Sequence, residues 1–159
     1  MPDQYVMQRD YIASVRYVAR FFLPLTPLTK QRLNLQHAMW LQHFGYNLHP
    51  SLARTLDGKS DVSIADIGTG TAIWTLQLAE QYPGVSFTGF DISNAQYPHP
   101  STLPSNVSLR IWDVHTEPPM EIQGKFDIVH LRALISVVPE GDPSSVLNRC
   151  LALSSKTSR

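Results

Sequence analysis

Apolar positions change their period part-way along the chain, and the change divides it into two textures. From Arg9 to Leu23 the residues Tyr11, Val15, Val18 and Phe22 recur at helical spacing. Ile12, Ala19 and Leu23 widen the stripe, while Arg9, Arg16 and Arg20 occupy another face. Pro24 and Pro27 end this predicted helix. A second helix is predicted over Thr29–Phe44, carried by Leu33, Leu35, Trp40 and Leu41 and stopped by Gly45. Residues 46–60 read as a loop with one helical turn through 51–56.

Beyond residue 60, short apolar runs alternate with helical patterns. Strands are predicted over Val62–Ile67, Val85–Phe90, Val107–Trp112 and Phe126–Leu131. Helices are predicted over Ala72–Gln81, Ala133–Val138 and Pro143–Leu153, the last capped by Asp142. Pro98, Pro100 and Pro104 make residues 94–105 irregular. The alternation implies an α/β, Rossmann-like fold with a mostly parallel sheet and an N-terminal helical cap. The expected layout is a single domain: a cap over 1–60, a core over 61–153 and a polar tail over 154–159.

Composition narrows the classes. The chain has 159 residues and is 43% hydrophobic, enough for one core and too apolar for disorder. Thirteen basic residues balance thirteen acidic ones, which argues against affinity for nucleic acid built on phosphate neutralisation. A lone cysteine, Cys150, excludes an internal disulfide and a cysteine-based zinc site. The six histidines show no metal-ligand spacing, so no metal is expected. No apolar run reaches the roughly 20 residues that cross a bilayer, and Met1–Asp10 lacks the pattern of a secretory leader. The expectation is a cytoplasmic protein with a small-molecule substrate and no membrane or nucleic-acid partner.

The chemistry concentrates at Ile64-Ala65-Asp66-Ile67-Gly68-Thr69-Gly70-Thr71-Ala72. A glycine turn between a parallel strand and a helix lets a ligand approach the backbone. A dinucleotide fingerprint needs a third glycine where this chain has Ile73. Asp66 would also repel a pyrophosphate, whereas it suits the amino and sulfonium end of S-adenosylmethionine (SAM). Asp91, closing the second strand, offers two oxygens to ribose hydroxyls, and Asp113, after the third, offers an acceptor to an adenine amino group.

These residues resemble class I SAM-dependent methyltransferases of fungal secondary metabolism. Arg32-Leu33-Asn34-Leu35-Gln36-His37 resembles the family's helix ahead of the core. Ile64–Trp74 is similar to its first motif, Phe90-Asp91-Ile92-Ser93 to its second, and Phe126–Arg132 to its fourth-strand motif. The likeness runs from about Tyr11 to Leu153. It implies that Asp66, Gly68, Thr69 and Gly70 hold the methionine end of SAM. Asp91 and Ile92 would hold the ribose and flank the adenine, with Asp113 and Val114 on the adenine edge. His130 and Leu131 would lie beside the sulfonium. The Arg-flanked stripe of the Arg9–Leu23 helix reads either as a membrane-surface helix or, more plainly, as one packed on the core that lids the site.

The family continues into a Pro-Gly-Gly turn and further strands that this sequence lacks, so a truncated core is expected. Its fourth strand would keep an exposed edge and an uncovered apolar face, open to a second copy or another partner. The function expected is methyl transfer to a small molecule. The alternatives are a repurposed fold acting as a cyclase or isomerase, and a non-catalytic SAM-binding interaction module. His130 is the one histidine placed for acid–base work, against the plainer reading of a pocket-lining side chain. Arg132 reads as an acceptor contact or a structural ion pair, Cys150 as a buried apolar residue, and Trp112 as adenine stacking or core.

Overall fold

The computed structural model describes residues 29–134, 138 and 141–155. The predicted helix from Arg9 to Leu23, most of the one from Ala133 to Val138 and most of the tail lie outside them. Helix α1 spans Thr29–Phe44, as the apolar spacing predicts, and Gly45 ends it with φ at 77°. Helix α2, Pro50–Leu56, is slightly longer than the single turn expected. His49 accepts a hydrogen bond from the Ser51 N–H, and Pro50 opens the helix. The same His-Pro-Ser unit at residues 99–101 starts a short 3₁₀ turn, Pro100–Thr102, inside the proline-rich stretch.

Strands β1 (Ser63–Ile67), β2 (Ser86–Asp91), β3 (Val107–Ile111) and β4 (Ile128–Leu131) form one parallel sheet in the order β3-β2-β1-β4. Helix α3 spans Ile73–Gln81 and α4 spans Ser144–Leu153. Helix α3 starts one residue later than predicted because Ala72 takes a left-handed φ of 60°. Asp142 accepts from both the N–H and the hydroxyl of Ser144, so it does hold the start of α4.

Both faces of the sheet are covered, which is why its strands read as apolar runs. On one face Ala65, Ile67 and Phe90 pack with Trp112 and with Val146, Cys150 and Leu153. On the other, Ile64 and Phe87 pack with Trp74 and Leu78 of α3 and Leu56 of α2.

Strand β4 departs most from expectation. Phe126 stands outside the strand and makes a single parallel bridge to Ser154. Asp127 explains the late start: its carboxylate accepts from the N–H and hydroxyl of Ser63 at 2.9 Å each. The apolar face expected to be bare is covered. Val129 and Leu131 pack in the cluster that holds α4, and Ile128 packs in the opposite one. Among the described residues no further strand of the sheet pairs with the outer edge of β4. Among the described residues only Ser154 and Ser155 lie beside it, with the Ser155 N–H donating to the Phe126 carbonyl at 2.7 Å. No helix among the described residues is long and apolar enough to cross a membrane.

Candidate functional site

The chain runs β1, β2, β3 to one side of the sheet and returns to place β4 on the other side of β1. Parallel sheets hold ligands at the carboxyl ends of their strands where the order reverses in this way. A cavity of about 420 Å³ opens there, lined by the glycine turn after β1, the ends of β2–β4 and the inner side of α1.

The glycine turn is fixed from beneath. The Gly68 and Thr69 N–H groups donate to the Phe90 carbonyl, and the Gly70 N–H donates to Asp91 Oδ2 at 2.8 Å. Gly68 and Gly70 have φ of 72° and 57°, the left-handed region that favours glycine. Asp91 therefore has a structural task besides facing the cavity. Gly89 of β2 lies directly under Thr69, where an added Cβ would come within 2.8 Å of the threonine oxygen.

Asp66 is buried, 4% exposed, and its charge is met from three sides. Oδ2 accepts from the Thr69 and Thr75 hydroxyls at 2.7 and 2.8 Å, and Oδ1 from His130 Nδ1 at 2.8 Å. Asp66 and His130 are register partners on adjacent strands, which sets the last bond. Burial alone would raise the Asp66 pKa, but the bond and charge of His130 and the two hydroxyls outweigh it and hold the carboxyl below its ordinary range. An ionised carboxylate only accepts, so the His130 Nδ1 carries the proton of this bond. The imidazole is clamped flat on Trp74, with ring centroids 3.7 Å apart and planes within 3°. Trp74 is itself held by its Nε1–H bond to the Asn47 carbonyl.

At the opposite end, Asp113 Oδ1 accepts from the His115 N–H, and Ile92 stands 65% exposed at the rim. Trp112 Nε1 is buried with no partner among the described residues. Nine of the ten predicted cofactor-binding residues line the cavity: Asp66, Gly68, Thr69, Gly70, Asp91, Ile92, Asp113, Val114 and His130. Leu131 does not. Side chains alternate along a strand, so with His130 facing the cavity Leu131 turns toward α4.

The wall that the sequence left unassigned is α1. Leu33 packs against Gly70, and Asn34 accepts from the Thr71 hydroxyl at 2.7 Å. His37, 2% exposed, bonds through Nε2 to Gln77 Oε1 at 2.9 Å. That oxygen also accepts from Asn47, so His37 carries its proton on Nε2 and its Nδ1 accepts from Arg132 at 2.8 Å. The Arg132 guanidinium lies 5.2 Å from the Trp40 ring centroid. Burial above all lowers the His37 pKa; the Gln77 bond opposes this, and the Arg132 charge reinforces it. The resemblance of the Arg32–His37 block to the family's helix ahead of the core was the available signal for this wall.

A family model described as a methyltransferase domain matches residues 65–156. The chain belongs to that family. It is 30% identical over 132 residues to methyltransferase grgD of Penicillium, covering 78% of this chain and 45% of the relative. It is 35% identical over 106 residues to N-methyltransferase tcpN of Claviceps purpurea, covering 66% and 37%. The chain thus spans less than half the length of these curated relatives. A solved TehB-like SAM-dependent methyltransferase from Corynebacterium glutamicum superposes with a TM-score of 0.55 at 16% identity, covering 81% of this chain and 68% of that one, a likeness of fold. The cofactor of this methyltransferase family is SAM. The lining fits such a molecule: carboxylate oxygens of Asp91 and Asp113 that can accept from hydroxyl and amino groups, a glycine turn, and a cavity of suitable volume.

Proposed function

We propose that this chain binds SAM across the glycine turn and transfers its methyl group to a small molecule of fungal secondary metabolism. The observation that carries this reading is the convergence of Asp91, Asp113 and His130 with the turn on one cavity at the point where the strand order reverses. When bound, the cofactor supplies an electrophilic methyl group on a sulfonium.

The chain's own residues do the rest. Asp91 accepts from the ribose hydroxyls with lone pairs left beyond its Gly70 bond, and Ile92 covers the adenine. Asp113 and Val114 meet the adenine edge with the carboxylate oxygen that His115 leaves free. Asp66 acts through His130, fixing the imidazole on the cavity wall by its Nδ1–H. His130 is then placed to accept a hydrogen bond or a proton from the attacking group. Since tcpN is named an N-methyltransferase, a nitrogen nucleophile is the acceptor we favour. Alignment of that nucleophile with the sulfonium supplies much of the acceleration.

Calorimetry with S-adenosylhomocysteine, the demethylated product, tests the first half. We expect a dissociation constant in the micromolar range, about −8 kcal/mol, weakened by Asp91→Ala. Absence of any binding would sink the reading. Mass spectrometry of candidate acceptors tests the second half, because a gained methyl supports transfer and an unchanged mass with altered retention supports rearrangement. The open β4 edge also leaves room for a second copy, and a particle of monomer mass in light scattering would remove that reading.

A further inference from the structure

Resting on the SAM reading, we infer that His37 is a positioning residue whose neutral ring keeps α1 seated over the cavity, so that cofactor affinity is coupled to its protonation. Helix α1 forms one wall of the cavity, and His37 is the residue it buries there. Around it Leu33 touches Gly70, and the Asn34–Thr71 bond is exposed.

Both ring nitrogens of His37 are committed, in opposite senses. The Nε2–H donates to Gln77 Oε1 at 2.9 Å, an oxygen that also accepts from Asn47, while Nδ1 accepts from Arg132 at 2.8 Å. Only the neutral imidazole can do both. A proton on Nδ1 would set donor against donor and cation against guanidinium, with little water to screen them at 2% exposure. The burial that lowers the His37 pKa acts in the same direction. The other groups around the ring do not offset the clash. His130 of β4 adds no negative charge, and Gln77 of α3 and Asn47 of the loop after α1 are neutral. The Asp66 carboxylate of β1 already accepts from Thr69, Thr75 and His130. The charged ring is therefore accommodated when α1 lifts and parts His37 from Arg132, which opens the wall. A ligand that needs the closed wall and the proton on Nδ1 exclude one another, and such linkage is reciprocal. Binding in acid drives the proton from His37 to the buffer.

Calorimetry on the whole chain would follow S-adenosylhomocysteine from about pH 8 to about pH 5.5, the range in which an imidazole changes charge. Affinity should hold above about pH 6.5 and fall below it, by at most about tenfold per pH unit for one proton. Titrations in two buffers of different ionisation enthalpy should show proton release at the acid end and none at the alkaline end. His37→Gln, whose amide donates and accepts in one fixed charge state, should abolish both effects. Amide exchange of the unliganded chain needs no variant: protection of α1 should drop over the same range while that of β1 and β2 holds. Constant affinity, a slope that persists in His37→Gln, or one that vanishes in His130→Gln or His115→Gln instead would overturn the inference. So would α1 protection that ignores pH. If the chain binds no S-adenosylhomocysteine even at the alkaline end, the SAM reading itself fails, while α1 protection that falls with acid would still assign the seating to His37.

Discussion

Asp66 shows how much of a site depends on one group's surroundings. Its position two residues before Gly68 is legible in the sequence, and so is its negative charge. Its burial is not, because the three donors that hold it lie 3, 9 and 64 residues away. Asp66→Ala would leave two buried hydroxyls and the half-buried His130 without an acceptor and should cost about 3 kcal/mol or more, measured by urea unfolding. The carboxyl is held below its ordinary pKa, so its contribution is fully present above about pH 3.9 and is lost as pH falls toward the folded value. Acid unfolding followed by circular dichroism should therefore lose part of its steepness in Asp66→Asn. Gly89 is the residue that sequence reasoning passed over, although a lone glycine inside a strand often marks a close approach. Gly89→Ala would drive Thr69 off Asp66 and should destabilise by about 1–3 kcal/mol, again in urea.

At the scale of elements, helices and strands followed from periodicity to within one or two residues at most ends. Helix α1 matches at both ends because its apolar spacing and Gly45 agree. Its docking could not be read the same way. The Arg132–His37 and Thr71–Asn34 bonds join residues 95 and 37 apart, and no spacing rule relates such positions. The contact has a pH dependence whose sign follows from burial. His37 is buried neutral with its pKa lowered, so the unfolded chain binds more protons as pH falls below about 6.5. Stability is full above that value and declines as pH drops toward the folded pKa. The groups facing His37 are Arg132, Asp66, His130 and Gln77, and a second positive charge beside Arg132 adds to the loss. Trp40 fluorescence should report the loosening as pH falls below about 6.5, and His37→Gln should flatten that slope.

Across the whole molecule the parallel sheet follows from alternating strands and helices, whereas its order and the reversal at β1 depend on pairings that no local pattern encodes. The bare face expected on β4 was the larger error. It came from treating β4 as missing its neighbours while overlooking that α4 already lies across one face and α3 across the other. Cys150 sits in that α4 layer, and burial pushes its thiol up to about 11. It should resist thiol reagents in the native state and react at the rate of global opening, followed with Ellman's reagent. Helix α1 behaves differently from the layers around the sheet. Only His37 among its residues is buried, and its specific bonds to the core are polar. Lifting α1 off the sheet therefore exposes little apolar area, and an event that exposes little area responds weakly to denaturant. Native-state hydrogen exchange should show α1 amides opening with a shallow urea slope and the amides of β1 and β2 with a steep one. The cavity would thus be unroofed many times in the lifetime of each folded core.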